Sequence, residues 1–327
     1  MAHLYSKGAR RLRIGTVLLL LLPLTVTLLV PRPCSALTSI YTTGFEASEG
    51  YTTNLDLVGQ NGWVGSGSGG NGIVADFFPG LGQQAYVGFT PPATNDNNLV
   101  VWQPINLNPV PTNTPIVNFS ALMAITDSSN TNWDDFYWSV YNSQGDRLFT
   151  LDFDNYYLEV NYALDGTNQF VSTGATFTNG PIYTLTLTMD FGRGRWSAAL
   201  SGVVLATNQP MTTTNAPLNL GDVDAVWVPY DLANPGDNFM VFDNYQLTRQ
   251  AAPPHPPTLQ SFQRLENGST LLRLYGQPND SFAIDASADL AHWTALKTNV
   301  ATDGYFDYSD TNAVGSRLRF YRGRWVP

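Results

Sequence analysis

In residues 182–190, IYTLTLTMD, apolar and polar side chains alternate without a break from Tyr183 onward, the period of a strand with one buried face. The turn Phe191-Gly192-Arg193-Gly194 follows, and then a second alternating run at residues 195–200. The same strand–turn–strand grammar recurs along the chain. Residues 116–126 (IVNFSALMAIT) and 135–141 (DFYWSVY) flank a polar turn, and residues 147–153 and 156–163 flank Asp154-Asn155. Residues 225–229 and 239–247 complete the series. Helical periodicity is almost absent, so no βαβ pattern forms and a parallel sheet is not expected. The expected fold class is all-β, with a large antiparallel jelly-roll β-sandwich closed by residues 238–248 (NFMVFDNYQLT).

The proline cluster in residues 250–257 (QAAPPHPP) predicts a semi-rigid linker, and His255 is most simply a linker residue. Beyond it, short strand signals are separated by Glu266-Asn267-Gly268, Pro278-Asn279-Asp280 and Asp303-Gly304. That length suits a small C-terminal sandwich of immunoglobulin or fibronectin type. The expected plan is residues 1–36 a signal peptide, 39–249 the jelly roll, 250–257 the linker and 258–327 an accessory module.

Residues 1–36 carry Lys7, Arg10, Arg11 and Arg13, then an apolar stretch, then Cys34-Ser35-Ala36, the three parts of a secretory signal. Pro23, Thr25 and Thr27 weaken the stretch as a membrane span, so an uncleaved anchor is the lesser alternative. Export places the chain at the cell surface or in the periplasmic or extracellular space, with no membrane span after cleavage. The formal net charge is −10, and loss of this basic segment makes it more negative still. Such a surface repels phosphate backbones, so nucleic acid is not an expected partner. Cys34 is the single cysteine, so the exported chain would have neither a disulfide nor a thiolate nucleophile.

Three short motifs carry a resemblance: Thr43-Gly44-Phe45-Glu46, Gly59-Gln60-Asn61-Gly62-Trp63, and Val241-Phe242-Asp243-Asn244-Tyr245. Together they make residues 39–249 similar to the concanavalin A-like lectin/glucanase (laminin G-like) jelly rolls. The resemblance implies that the closing strand lies beside the opening one. It also implies calcium near both, with Glu46 and Asp243 as ligands. The alternative is that Asp243 bonds backbone amides at a strand irregularity. Residues 284–290 (IDASADL), Trp293-Thr294, Phe306-Asp307-Tyr308-Ser309-Asp310 and Arg319-Phe320-Tyr321-Arg322 resemble a C-terminal β-module of secreted proteins from Verrucomicrobia and related bacteria. Ala288 stands where that module usually has Thr. The module implies a bacterial source and no catalytic role.

Chemistry is sparsely marked. Glycosidases of the laminarinase-like branch of the resembling superfamily use a Glu-x-Asp-x-x-Glu strand, and none exists here. Beyond the signal the glutamates are Glu46, Glu49, Glu159 and Glu266, far apart in sequence, and the jelly roll has no histidine to serve as a base. Asp152 and Asp154 share one face of a strand, which fits either a carboxylate pair or a strand end entering a turn. Asp134 and Asp135 point to opposite faces. The glycine-rich residues 65–72 (GSGSGGNG) lack a phosphate-loop ending and are expected to form a flexible surface loop. Trp133, Tyr137, Trp138, Tyr156 and Tyr157 form a dense aromatic set, part of which must be core because Phe136 and Trp138 alternate with Tyr137. Trp133, Tyr137 and Tyr156 are the expected ligand-binding surface. The expected function is a secreted, non-catalytic protein that binds glycan or cell-surface polysaccharide. The alternatives are a jelly-roll polysaccharide-degrading enzyme using Asp152 or Asp154, and a purely structural surface protein. Oligomeric state is not legible.

Overall fold

The computed structural model describes residues 37–93, 96–165, 167, 169–252, 257–278, 280–316 and 318–326. The expected signal peptide and His255 lie outside the described residues. The larger sandwich is built from β1 (Thr38–Thr43), β2 (Val64–Gly67), β3 (Asn71–Ala75), β4 (Gln83–Gly88) and β5 (Leu99–Trp102). They are followed by β6 (Ile116–Ile125), β7 (Asp135–Tyr141), β8 (Arg147–Asp154), β9 (Glu159–Leu164) and β10 (Val171–Thr176). The set ends with β11 (Tyr183–Asp190), β12 (Arg195–Leu200), β13 (Val203–Pro210), β14 (Asp222–Val228) and β15 (Phe239–Gln250). Among the described residues the only helical segments are two short 3-10 turns, so the chain is all-β.

An eight-stranded antiparallel sheet runs β13-β12-β11-β6-β15-β4-β3, with β1 also on β15. A seven-stranded sheet runs β10-β9-β8-β7-β14-β5-β2. Their inner faces interdigitate as aromatic pairs: Phe119 meets Trp138 at 5.2 Å, Trp138 meets Phe242 at 5.4 Å, and Phe149 stacks on Trp196 at 4.0 Å. This is a jelly-roll sandwich, and the alternation of residues 182–190 is what lays Leu185, Leu187 and Met189 inward.

The closing strand does lie beside the opening one, antiparallel, with Thr43 opposite Tyr245. β15 pairs with β4 through residues 239–242, then with β1 through residues 245–249, and its register on β6 slips between Asp243 and Gln246. The Asp-Asn pair is therefore the bulge at which one strand changes partner, and Asn244 takes the left-handed φ of 49° that Asn tolerates. The three short motifs meet in one cluster: Phe45, Trp63, Phe242 and Tyr245 are buried, and Trp63 contacts Phe45 at 5.6 Å and Tyr245 at 5.3 Å.

The glycine-rich stretch is not a loose surface loop. It contains β2 and enters β3. A Cβ on Gly69 would sit 2.6 Å from Cζ3 of Trp227, so these glycines admit close packing of backbone against ring. β9 also starts at Glu159, three residues later than the alternation suggested, because residues 155–158 form the turn.

After residue 257 come β16 (Thr258–Arg264), β17 (Thr270–Tyr275), β18 (Ser281–Ser287), β19 (Thr294–Val300), β20 (Tyr305–Asp310) and β21 (Phe320–Val326). They form two three-stranded sheets, β16-β17-β20 and β19-β18-β21, over a core of Leu272, Leu274, Phe282, Ile284, Ala301 and Phe306.

Candidate functional site

The outward face of the seven-stranded sheet gathers acids that are scattered in sequence. In the β7–β8 pair Tyr137 stands opposite Asp152, and in β7–β14 Ser139 stands opposite Asp224 and Tyr141 opposite Asp222. Side chains at alternate positions share a face, so Asp135, Asp152, Asp222 and Asp224 all line it. They are poorly solvated: Asp152 and Asp224 are each only 4% exposed. Burial pushes Asp152 up to about 8, with the neighbouring Asp135 charge adding to the effect, and pushes Asp135 itself up to about 7. Burial also lifts Asp222 to about 6 and Asp224 well above the usual carboxylate range, with the neighbouring Asp222 charge adding to the effect on Asp224. Asn161 donates to Oδ2 of Asp152 at 3.3 Å, while Oδ1 of Asp152 has no partner. Asp152 and Asp224 therefore keep their protons at neutral pH, Asp135 is poised near it, and Asp222 ionises below it.

Asp154 has a different job. Its Oδ1 accepts from the backbone N–H groups of Tyr156 and Tyr157 at 3.1 and 2.9 Å, so it closes the turn after β8. That turn throws Tyr156 and Tyr157 into solvent, 60% and 68% exposed. Trp133 packs edge-on against Tyr156 with centroids 5.9 Å apart, and its indole N–H is held by Oδ1 of Asp127 at 2.9 Å. Tyr230, 79% exposed, lies nearly parallel to Tyr156, with centroids 6.5 Å apart and an interplanar angle of 10°. Asp134 is the buried peg of this corner. It accepts from the Trp227 indole at 3.0 Å and from the backbone N–H groups of Tyr230 and Gly236 at 3.0 and 2.9 Å, and so fixes the loop that carries Tyr230.

Of the three rings expected to form a ligand surface, Trp133 and Tyr156 are brought together. Tyr137 is not in ring contact with them; it faces outward from β7 against Phe170, centroids 5.6 Å apart. Trp138 is core, at 0% exposure. Sequence reasoning missed Tyr230 and the Asp222/Asp224 pair, because β14 reaches β7 only through folding. A faint signal existed: Tyr230 follows the buried run 225–229 at once, as a turn residue would.

Glu46 and Asp243 both border Gly44, whose Cβ would stand 3.7 Å from Cγ of Glu46 and 3.8 Å from Oδ1 of Asp243, while the Glu46 carboxylate itself lies against Gly82. Their present contacts are with backbone: Glu46 accepts from Gln83 N–H at 3.3 Å and Asp243 from Asn244 N–H at 2.6 Å. Burial, with Glu46 and Glu49 nearby, raises Asp243 to about 6. Among the described residues no group of three or more His, Cys, Asp or Glu side chains is placed to hold a metal ion.

No family model and no curated protein sequence matches the chain. Among solved structures it is similar to a carbohydrate esterase of the Shiga toxin-encoding bacteriophage phi24B, with 14% identity, 66% of this chain and 100% of that one covered, and a TM-score of 0.45. It is also similar to the cellulose-induced protein Cip1, at 12% identity, 63% and 96% coverage and a TM-score of 0.43. Arcelin-5, a lectin-like defence protein of Phaseolus vulgaris, matches at 8% identity, 66% and 99% coverage and a TM-score of 0.42. No residue role is carried over from them.

Proposed function

We propose that this chain is an exported glycan-binding protein whose binding surface is the aromatic corner Trp133, Tyr156, Tyr157 and Tyr230. One observation carries the reading: three tyrosines stand mostly in water beside a tryptophan, two of them with parallel faces, on a corner braced by Asp134 and Asp154. Exposed rings on backbone that side-chain carboxylates pin in place are suited to stacking on the apolar face of a sugar ring, at low entropic cost. The negative net charge favours neutral or amino sugars over anionic ones. Binding of the whole protein to an array of neutral, amino and acidic glycans tests this. Tyr156→Ala and Tyr230→Ala should each weaken the captured signal tenfold or more while leaving the melting temperature within a few degrees. Equal capture by the variants would refute the site.

A second reading, polysaccharide hydrolysis, has one observation in its favour. Asp135 and Asp152 sit on adjacent strands at diagonal positions, and burial raises both, the environment in which one carboxyl of a pair can serve as acid and the other as base. A carboxyl raised to about 8 can donate a proton at neutral pH. Appearance of new reducing ends in the array glycans, abolished by Asp152→Asn, would move the assignment to this reading.

Calcium belongs to the proposal as a structural ion at the partner-switch of β15, supported by the position of Asp243 at that bulge, where Glu46 and Glu49 help raise it. Chelator-treated protein should melt higher after calcium is added, since a site present only in the folded state adds stability when filled. An unchanged melting temperature would leave both carboxylates as backbone caps.

A further inference from the structure

The outer side of the eight-stranded sheet holds a second ring cluster that the proposed glycan corner does not use. On the outer side of the eight-stranded sheet Phe239 is the hub, contacting Phe77 at 5.6 Å, Tyr86 at 6.3 Å and Phe89 at 5.8 Å, all edge-to-face. These rings, with Thr53 and Asn54, line a cavity of about 370 Å³ beside the edge strand β3. That is the small end of the range of about 300–1,000 Å³ over which ligand pockets occur.

Two features separate this pocket from a packing defect. Phe89 is 58% exposed and adopts φ 73°, a left-handed conformation that a bulky residue rarely takes. The fold holds it there through the N–H of Phe89 to the carbonyl of Asn238 at 3.2 Å, so a strained backbone presents an apolar ring to solvent at the pocket wall. Asn54, on the other side, is also left-handed at φ 64°, and its amide touches Thr53 Oγ1 only at 3.4 Å. An amide offers two donors and two acceptor sites, so most of its capacity is open to a ligand.

We infer that this pocket is a second saccharide site, for a neutral one- or two-ring sugar, with its C–H face on Phe89 and Phe239 and its hydroxyls on Asn54 and Thr53. The lining carries no charged side chain, and beside it Asp56 helps burial raise the Tyr86 phenol. Anionic sugars are therefore disfavoured, and the amide–hydroxyl pair is of no use to a purely apolar guest. The site stands independently of the Trp133–Tyr230 corner.

Saturation-transfer NMR on the whole chain tests it, with glucose, galactose, mannose, N-acetylglucosamine and cellobiose as probes. At least one neutral sugar should show transfer to its ring C–H protons. Phe89→Ala and Asn54→Ala should each cut that transfer fivefold or more, while Tyr156→Ala leaves it in place. Both pocket residues are exposed, and a thermal melt confirms that the variants fold. The inference is overturned if no probe shows transfer, if transfer survives both pocket variants, or if only Tyr156→Ala removes it, which would refer all binding to the other corner. Displacement of the sugar by millimolar tetramethylammonium with no loss in Asn54→Ala would also overturn it, because the rings would then be a cation cage.

Discussion

Asp152 shows how a single side chain can be costly to the fold. Its carboxyl is almost fully buried, one oxygen has no partner, and it holds its proton up to about 8. The unfolded chain ionises the same group near the usual carboxylate range, about 3.9. Between those two values the folded protein binds the extra proton, so stability falls as pH rises from about 4 to about 8 and is level beyond. Asp135 acts in the same sense over a narrower window, up to about 7. Asp152→Asn keeps an acceptor oxygen for Asn161 and removes the ionisation. The variant should match wild type near pH 4 and exceed it by on the order of a few kcal/mol at pH 8. Urea unfolding at both pH values measures this, and parallel curves for the two proteins would show that Asp152 ionises without penalty.

At the scale of the element, legibility followed alternation. β6, β7, β8, β11, β12 and β15 were readable because one face of each is apolar at every second residue, and a register slip would bury their polar side. β2 and β3 were not, because glycine carries no alternation: residues 65–72 meet their neighbours by backbone, and no side-chain pattern records it. The site divided the same way. Trp133 and Tyr156 flank the β7–β8 hairpin and could be placed together, whereas Tyr230 and Asp224 reach it across a strand pairing with no local signature. The glycine stretch itself yields a test. Gly69 has φ 139° and sits against the ring of Trp227, which cannot retreat because its indole N–H is bonded to Asp134. Gly69→Ala should cost about 2–4 kcal/mol through overpacking and backbone strain. Because Asp134 also anchors Tyr230, glycan capture should weaken along with the fall in the denaturation midpoint. An alanine variant with an unchanged midpoint would mean that the stretch gives way as a loose loop does.

At the scale of the whole molecule, the two sandwiches have separate cores, and one described ion-pair group joins them. Arg193, in the turn between β11 and β12, donates to Oδ2 of Asp190 at 2.8 Å, and to Oδ1 and Oδ2 of Asp280 at 3.3 and 3.0 Å. The fork–carboxylate match to Asp280 is bidentate, and both its side chains are about nine-tenths covered. The turn was legible in sequence, but its role was not, since its partner lies 87 residues away. Removing the guanidinium leaves Asp280 covered and unpaired, a cost intermediate between surface and buried pairs, about 2 kcal/mol. That cost falls on the junction rather than on either core. Arg193→Ala should therefore lower the calorimetric transition of the smaller sandwich and separate it from that of the larger one, whose Leu185–Leu187–Phe242 core is untouched. Arg193→Lys should restore the joint transition only in part, because an ammonium cannot grip both carboxylate oxygens in one plane. If both transitions move together in Arg193→Ala, the sandwiches are coupled through something broader than this contact, and the arginine serves only to pin its own turn to Asp190.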